Sequence, residues 1–242
     1  MATDHIVVIG GGIVGSSIAN HHCSGQHTAT AVTVIERDPS YRRASSYLAM
    51  GGIRQQFSSA TNIRFAQHGI DFYKGLDNRL AASKTGIHVN FQQRGYLFLV
   101  STAMAERFAR RYTIQKRLGA SIEQLNVETI HEHAPDLKLD DIAFGLFGPE
   151  DGYANPKAAL AGVRHLAITA GATYRAATVT GFITDHGHVR GVRLDTGDSI
   201  EAQAIVCAAG AFTKPLAALA GIDLPVTPVR QQLFRCGLPR SW

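Results

Sequence analysis

His5–Gly15, HIVVIGGGIVG, is the stretch whose reading decides the fold. Ile6, Val7, Val8 and Ile9 form an unbroken β-branched run, the composition of a strand buried on both faces of a parallel sheet. The run stops at three glycines, and Gly10, Gly12 and Gly15 give G-x-G-x-x-G at a strand-to-helix turn. In that pattern the first glycine permits a tight turn and the second leaves room for a pyrophosphate against the backbone, while the third lets helix and strand pack closely. The N-terminus of the following helix offers N–H groups and a positive dipole end to phosphates.

A glycine-rich turn also arises for purely structural reasons, so its surroundings carry the argument. Ile13–Ala19 reads as helix and Ala31–Ile35, AVTVI, as a second buried strand. Glu36 ends that strand about 20 residues past the last glycine, where a ribose ligand is expected. A carboxylate there accepts hydrogen bonds from a ribose 2′-OH and repels a 2′-phosphate, which favours FAD or NAD over NADP.

A chain of 242 residues, 45% hydrophobic and 18% charged, is large enough to bury a sizeable core in one large or two modest domains. The net charge of +5 is spread without a lysine or arginine run or an interleaved basic and aromatic stripe, so nucleic acid is not an expected partner. Cys23, Cys207 and Cys236 have no metal-ligand or C-x-x-C spacing; they read as reduced thiols of a cytoplasmic or mitochondrial-matrix compartment. Asp4 precedes the apolar N-terminal run and glycines interrupt it, so it is read as a strand and not as a signal peptide. No segment has the length of a membrane span. His131 and His133 are two apart in a helical stretch, the wrong spacing for one helix face; the pairs His21–His22 and His186–His188 fail in the same way, and no metal is expected.

After Glu36, the segment Arg37–Phe57, RDPSYRRASSYLAMGGIRQQF, has the composition of a loop. Ser45 and Ser46 carry hydroxyls suited to phosphate or ribose, Gly51 and Gly52 permit close approach of a flat ring, and Arg54 carries fixed charge. Taken by itself, the segment reads first as a polar surface loop. Asn62–Leu80 has helical apolar spacing; Val89, Phe91 and Gly95–Val100 read as strands, Thr102–Leu118 as helix and Ile142–Phe147 as strand. Pro156–Ala170 is an alanine-rich helix opened by proline and followed by Gly171. Thr173–Tyr174, Val179–Ile183 and Val189–Leu194 then read as short strands of a β-meander, with a turn at Asp185–His188, and Ala204–Ala208 as another buried strand.

The succession GGGIVG, ER, SSYLAMGGIRQQFS, GYLFL, EDGYANP and VCAAGAFT resembles the FAD-dependent amine oxidoreductases that include D-amino acid oxidase, glycine oxidase and the sarcosine and dimethylglycine dehydrogenases. Within that family it is most similar to the branch of FAD-dependent oxidoreductase domain proteins carrying GGI-x-QQFS. The resemblance runs from about Ile6 to the C-terminus and implies an α/β fold: a Rossmann-like FAD-binding domain with a β-meander and an inserted antiparallel substrate domain, incomplete at the C-terminus. The expected boundaries are 1–86 and 150–225 for the FAD-binding domain, and 87–149 with 226–242 for the substrate domain. Family chains are longer, so the resemblance implies that a further C-terminal portion or a partner chain completes the fold.

The resemblance also implies the site. FAD would be held by Gly10, Gly12, Ile13, Val14, Gly15, Glu36 and Arg37, and by Ser45, Ser46, Met50 and Gly51. The backbone of Val179 would meet the adenine, and Ala208, Gly210 and Phe212 would border the dinucleotide, with phenylalanine where the family usually has tryptophan. The implied reaction oxidises an amine or amino acid of the sarcosine, dimethylglycine or D-amino acid type by hydride transfer to flavin N5, and the imine then hydrolyses. Arg54 is the candidate cation and Gln56 its hydrogen-bonding neighbour; Tyr96 either faces the ligand or is a half-buried strand residue. No histidine or cysteine lies between Arg37 and Gln67, so covalent flavin attachment is not expected there. One alternative is a flavin-binding assembly or scaffold protein without turnover. Another, a plain NAD-dependent dehydrogenase, would continue the alternation of strand and helix where a meander is read instead.

Overall fold

The computed structural model describes residues 4–25 and 31–234. Cys236 and the rest of 235–242, the end of the expected second substrate segment, lie outside the described residues. In chain order the elements are β1 (His5–Ile9), α1 (Ile13–Ser24), β2 (Ala31–Glu36), α2 (Ser45–Leu48), β3 (Gly52–Ile53), α3 (Ala60–Ala82), β4 (Tyr96–Ser101), α4 (Ala105–Arg117), β5 (Glu123–Leu125), α5 (Val127–His133), β6 (Ile142–Gly148), β7 (Gly152–Tyr153), α6 (Pro156–Thr169), β8 (Thr173–Ala176), β9 (Val179–Asp185), β10 (His188–Leu194), β11 (Ser199–Glu201), β12 (Ala204–Cys207) and α7 (Thr213–Ala218). They form two compact units, residues 1–39 with 171–242, and residues 40–170. The division between these units falls at 39/40 and 170/171. The reason lies in the second unit's packing: Ile63 of α3 shares a core with Val100 and Leu146, and a side chain on Gly162 of α6 would run into Leu80 of α3.

The first unit is built on a parallel sheet of order β12-β1-β2-β8, with Val7 opposite Ile205 on one side and Thr33 on the other. Alternation along β1 and β2 supplies both faces. Val7, Ile9 and Ile35 pack against Val179, Val192, Leu194 and Leu216, while Val8 and Val34, both fully buried, point the opposite way. Thr173–Tyr174 is not part of the meander, as the sequence had suggested. It belongs to β8, which pairs in parallel with β2, and the meander is β9, β10 and β11. The β9–β10 connection is a two-residue turn, His186–Gly187, with both φ angles positive (45° and 79°), the backbone twist that tight hairpins require.

Two glycines of the first turn are dictated by backbone contacts. Gly10 has φ +100°, and a Cβ there would lie 2.5 Å from the Ala208 carbonyl oxygen; a Cβ on Gly15 would collide with the carbonyl oxygen of Gly10. The strand-to-helix turn is thus close-packed against the end of β12. Gly15→Ala is expected to lower stability by about 3 kcal/mol, because the atoms it meets are backbone and cannot swing aside. A chemical denaturation curve with a reduced midpoint and unchanged slope is the check.

The second unit carries an antiparallel sheet of order β4-β6-β5 and a two-stranded pair, β3 with β7. Ile63, Val100, Ala120, Ile122 and Leu146 form its core, with Phe98, Phe108 and Phe144 against them. Strand β5 escaped the sequence reading because three residues carry too little period to register. Conversely, Val89 and Phe91 are not strand. Val89 N–H donates to Asp77 Oδ1 at 2.6 Å and Asn90 N–H to Asp77 Oδ2 at 2.9 Å, while the Val89 carbonyl accepts from Asn155 N–H at 3.0 Å, so a side chain and a turn take the place of a ladder. The segment after Arg37 is likewise more ordered than a loop, since it contains α2 and β3. Asn155 caps α6 by accepting from the N–H groups of Lys157 and Ala158, and Pro156 occupies the first turn, where its missing N–H has no consequence.

Candidate functional site

In the first unit the glycine turn is closed by two backbone bonds, Gly10 N–H to the Ile35 carbonyl and Ala208 N–H to the Ile9 carbonyl, both 2.8 Å. Glu36, at the end of β2, accepts from Gly11 N–H through Oε2 at 2.8 Å and from Asp38 N–H through Oε1 at 2.9 Å. Its carboxylate is therefore fixed beside the turn with lone pairs left for further donors. Gly12 is the N-cap of α1 and provides no side-chain cap; the first turn holds no acidic residue, and Val14 there is 59% exposed. An anion at that end meets a positive dipole without competition from a carboxylate.

Behind the turn, the fully buried Ser16 donates to the Gly11 carbonyl at 2.8 Å and accepts from the Tyr174 hydroxyl at 2.9 Å. This chain holds the carbonyl of Gly11, the residue whose N–H reaches Glu36. Sequence reading missed both residues, because neither type signals such a role without the spatial pairing of α1 and β8. On the outer side, the Arg37 guanidinium lies 3.6 Å from the Phe212 ring centroid, in the turn that Gly210 opens after β12. Val179 starts β9, nearly buried, and Ala177 N–H two residues earlier donates to the Glu36 carbonyl at 3.2 Å. Gly10, Gly12, Ile13, Val14, Gly15, Glu36, Arg37, Val179, Ala208, Gly210 and Phe212 all belong to this unit.

The remaining expected residues lie in the second unit. Ser45 and Ser46 open α2, Met50 is 72% exposed, and Gly51 accepts from Ala154 N–H at 2.9 Å. The half-buried Arg54 stacks on two rings of β4, 4.8 Å from the Tyr96 centroid and 5.4 Å from that of Phe98. Those rings, on alternate positions of one strand face, are 5.2 Å apart. Gln56 donates through Nε2 to the Tyr96 carbonyl at 2.9 Å and to Asp151 Oδ2 at 3.0 Å, and Gln55 N–H donates to Asp151 Oδ1 at 2.9 Å. Among the described residues no carboxylate forms an ion pair with Arg54.

Asp151 is the residue of this cluster that sequence reading passed over, although it stands in the EDGYANP stretch. It is fully buried. Burial pushes its carboxyl above the ordinary range, opposed by the bonds from Gln56 and Gln55 and by the positive charge of Arg54. His133, one of the histidines considered above, bonds through Nδ1 to the Thr129 carbonyl within α5.

The DAO family model, FAD dependent oxidoreductase, matches residues 5–241. FAD-dependent oxidoreductase domain-containing protein 1 of Xenopus laevis is 30% identical over 98% of this chain and 54% of its own length. Glycine oxidase of Geobacillus kaustophilus is 29% identical over 97% of this chain and 62% of its own. Among solved structures, L-proline dehydrogenase from P. horikoshii superposes with a TM-score of 0.78 and 30% identity, covering 91% of this chain and 56% of that one. The chain spans about half the length of the curated relatives it matches. Among the described residues no helix is long and apolar enough to cross a membrane.

The first unit suits the FAD of the family's name on physical grounds. Gly10 and Gly15 leave no room for side chains where the turn must stay thin, Glu36 presents a fixed acceptor beside it, and the helix start is free of acidic residues.

Proposed function

Because this chain belongs to the DAO family of FAD dependent oxidoreductases, we propose that it contributes the flavin-binding and part of the substrate-binding machinery of an oxidoreductase acting on an amine or amino acid. The observation that carries the substrate side of this reading is Arg54, a half-buried guanidinium stacked on Tyr96 and Phe98 with no carboxylate among the described residues paired to it. A planar cation with its donors uncommitted is suited to a substrate carboxylate. Among the relatives, names such as glycine oxidase and 4-methylaminobutanoate oxidase describe oxidation of compounds that carry both an amine and a carboxylate.

In this reading the glycine turn and the start of α1 hold the pyrophosphate, Glu36 binds the ribose and the backbone at Val179 borders the adenine. Arg37 and Phe212 flank the dinucleotide as a stacked pair. Ser45, Ser46, Met50 and Gly51 are assigned to FAD by the family resemblance, and the domain assignment of 1–86 with 150–225 to FAD and 87–149 with 226–242 to substrate rests on the same ground. FAD, once bound, would supply the two-electron acceptor for oxidation at the carbon beside the substrate nitrogen. Arg54 orients the substrate by its carboxylate so that this carbon is presented, and Gln56 stays fixed beside it through Asp151 and the Tyr96 carbonyl. The substrate imine is then open to water.

A visible absorption spectrum of the 242-residue protein, with and without added FAD, is the first test. The expected result is a pair of flavin bands that survive desalting and disappear from the protein fraction on denaturation. Anaerobic mixing of the flavin-loaded protein with sarcosine, dimethylglycine, glycine, proline and D-amino acids should then bleach the longer-wavelength band with at least one of them. Bound flavin that no amine reduces would instead support the reading without turnover, and absence of flavin binding would overturn the glycine-turn assignment for this chain.

A further inference from the structure

Beside Arg54 and Gln56 stands a buried ionisable group, Asp151. Asp151 has no exposed surface, and both of its carboxylate oxygens are occupied by neutral donors, Oδ1 by Gln55 N–H and Oδ2 by Gln56 Nε2. Its backbone is also committed: its N–H donates to the Gly148 carbonyl at 3.1 Å and its carbonyl accepts from Gly95 N–H at 3.0 Å. One residue thus joins the end of β6, the start of β4 and the segment after β3. A carboxylate buried without an ion-pair partner is costly, and in some proteins such groups are retained for the arrangement they specify.

What Asp151 holds is the segment that carries Arg54. On the N-terminal side, Ile53 is pinned opposite Gly152 by the β3–β7 pair; on the C-terminal side, Gln55 N–H is pinned by Asp151 Oδ1. Arg54 lies between these two fixed points. Gln56 extends the same control to the rings, since its Nε2 spans from Asp151 Oδ2 to the carbonyl of Tyr96, the first of the two aromatic residues under the guanidinium. Both bonds require Nε2 to donate, so the carboxamide cannot flip without opposing oxygen to oxygen. The negative charge is near enough to Arg54 for the two to interact electrostatically, yet it is spent on Gln55 and Gln56, not on a contact ion pair. A contact pair would neutralise the guanidinium and close it to an anionic ligand.

We propose that Asp151 is a positioning residue: its buried carboxylate sets the Gln55–Gln56 segment and thereby aims the Arg54 guanidinium over Tyr96 and Phe98 for the carboxylate of a ligand. The assignment of the ligand's charge rests on the functional reading given above; the positioning itself does not. Asparagine at 151 could still accept from Gln55 N–H, but its amide would face the Gln56 amide donor to donor.

The test follows the Arg54 Nε–Hε resonance in isotope-labelled protein and titrates sodium acetate as a minimal carboxylate. In the parent protein that resonance should carry the upfield shift of a group lying over aromatic rings and should move with added acetate. In Asp151→Asn and Asp151→Ala the ring-induced shift should collapse, and acetate should bind about tenfold more weakly. If both variants keep the parent shift and acetate affinity in their folded state, Asp151 does not position Arg54 and the proposal fails, while a parent response to acetate would leave the reading of Arg54 standing. If the shift collapses in the variants but acetate never moves the parent resonance, positioning stands and the carboxylate assignment fails. Should the Asp151 variants not fold, Gln56→Ala cuts the side-chain link while leaving the Gln55 bond; it should displace the same resonance, and an unchanged resonance there overturns the proposal.

Discussion

Gly12→Val is expected to leave the fold intact and to weaken FAD binding by about 100-fold, which corresponds to ~2.7 kcal/mol. The two halves of this expectation have separate causes. Gly12 has φ −61° and ψ −176°, extended backbone that any residue adopts, so the substitution imposes no conformational strain. It is also the N-cap of α1, the place at which the family pattern brings a pyrophosphate against the backbone, and a branched side chain there occupies ligand volume. Gly10 and Gly15 cannot separate the two effects in this way, because a Cβ at either meets backbone within the turn itself. Thermal melting in the absence of flavin, paired with a flavin titration followed by fluorescence quenching, reads both quantities. Parent-like flavin affinity in Gly12→Val would remove the glycine turn from the cofactor site.

Arg54→Ala is expected to slow reduction of bound flavin by an amino acid about 100-fold at subsaturating substrate, with FAD affinity changed little. A charge-assisted hydrogen bond contributes roughly 1.5–3 kcal/mol, and a bidentate guanidinium–carboxylate pair makes two of them, so ~2.7 kcal/mol is a conservative loss. The loss should fall mainly on substrate affinity, because the pair forms on binding and persists through the reaction. Arg54→Lys should recover only part of it, since an ammonium keeps the charge but neither the fork nor the planar stacking on Tyr96 and Phe98. Anaerobic stopped-flow reduction over a range of substrate concentrations separates the two parameters. Equal reduction rates in the parent and in Arg54→Ala would take Arg54 out of the substrate site.

The nucleotide side was legible in the sequence because its signals are local. A β-branched run, glycines at fixed spacing, and a carboxylate closing the next strand fall within about 30 residues, the length of one strand–helix–strand unit. In the structure the Glu36 carboxylate accepts from Gly11 N–H, a bond the sequence reading did not name. Helices α3, α4 and α6 were similarly legible, each being long enough to show its period. Short strands were not. Val89 and Phe91 have strand composition, yet Asp77 and Asn155 take the backbone bonds of Val89, and β5 is strand only because β6 lies beside it.

The second unit gives the sharper contrast. Arg54 and Gln56 stood out in sequence by residue type and by family resemblance, whereas Asp151, which binds both Gln55 and Gln56, lies almost a hundred residues away, at a separation of 95 from Gln56. The sequence by itself determined the parallel sheet, the glycine turn, the acidic end of β2 and the meander strands β9 and β10, since each depends on side-chain periodicity or backbone permissiveness within one element. Only the tertiary structure decided that β8 joins the parallel sheet, that Ser16 and Tyr174 brace the turn, and that a buried carboxylate holds the segment under Arg54. Those are pairings between distant segments, and a hydrogen bond across 95 or 158 residues leaves no pattern in the sequence on either side of it.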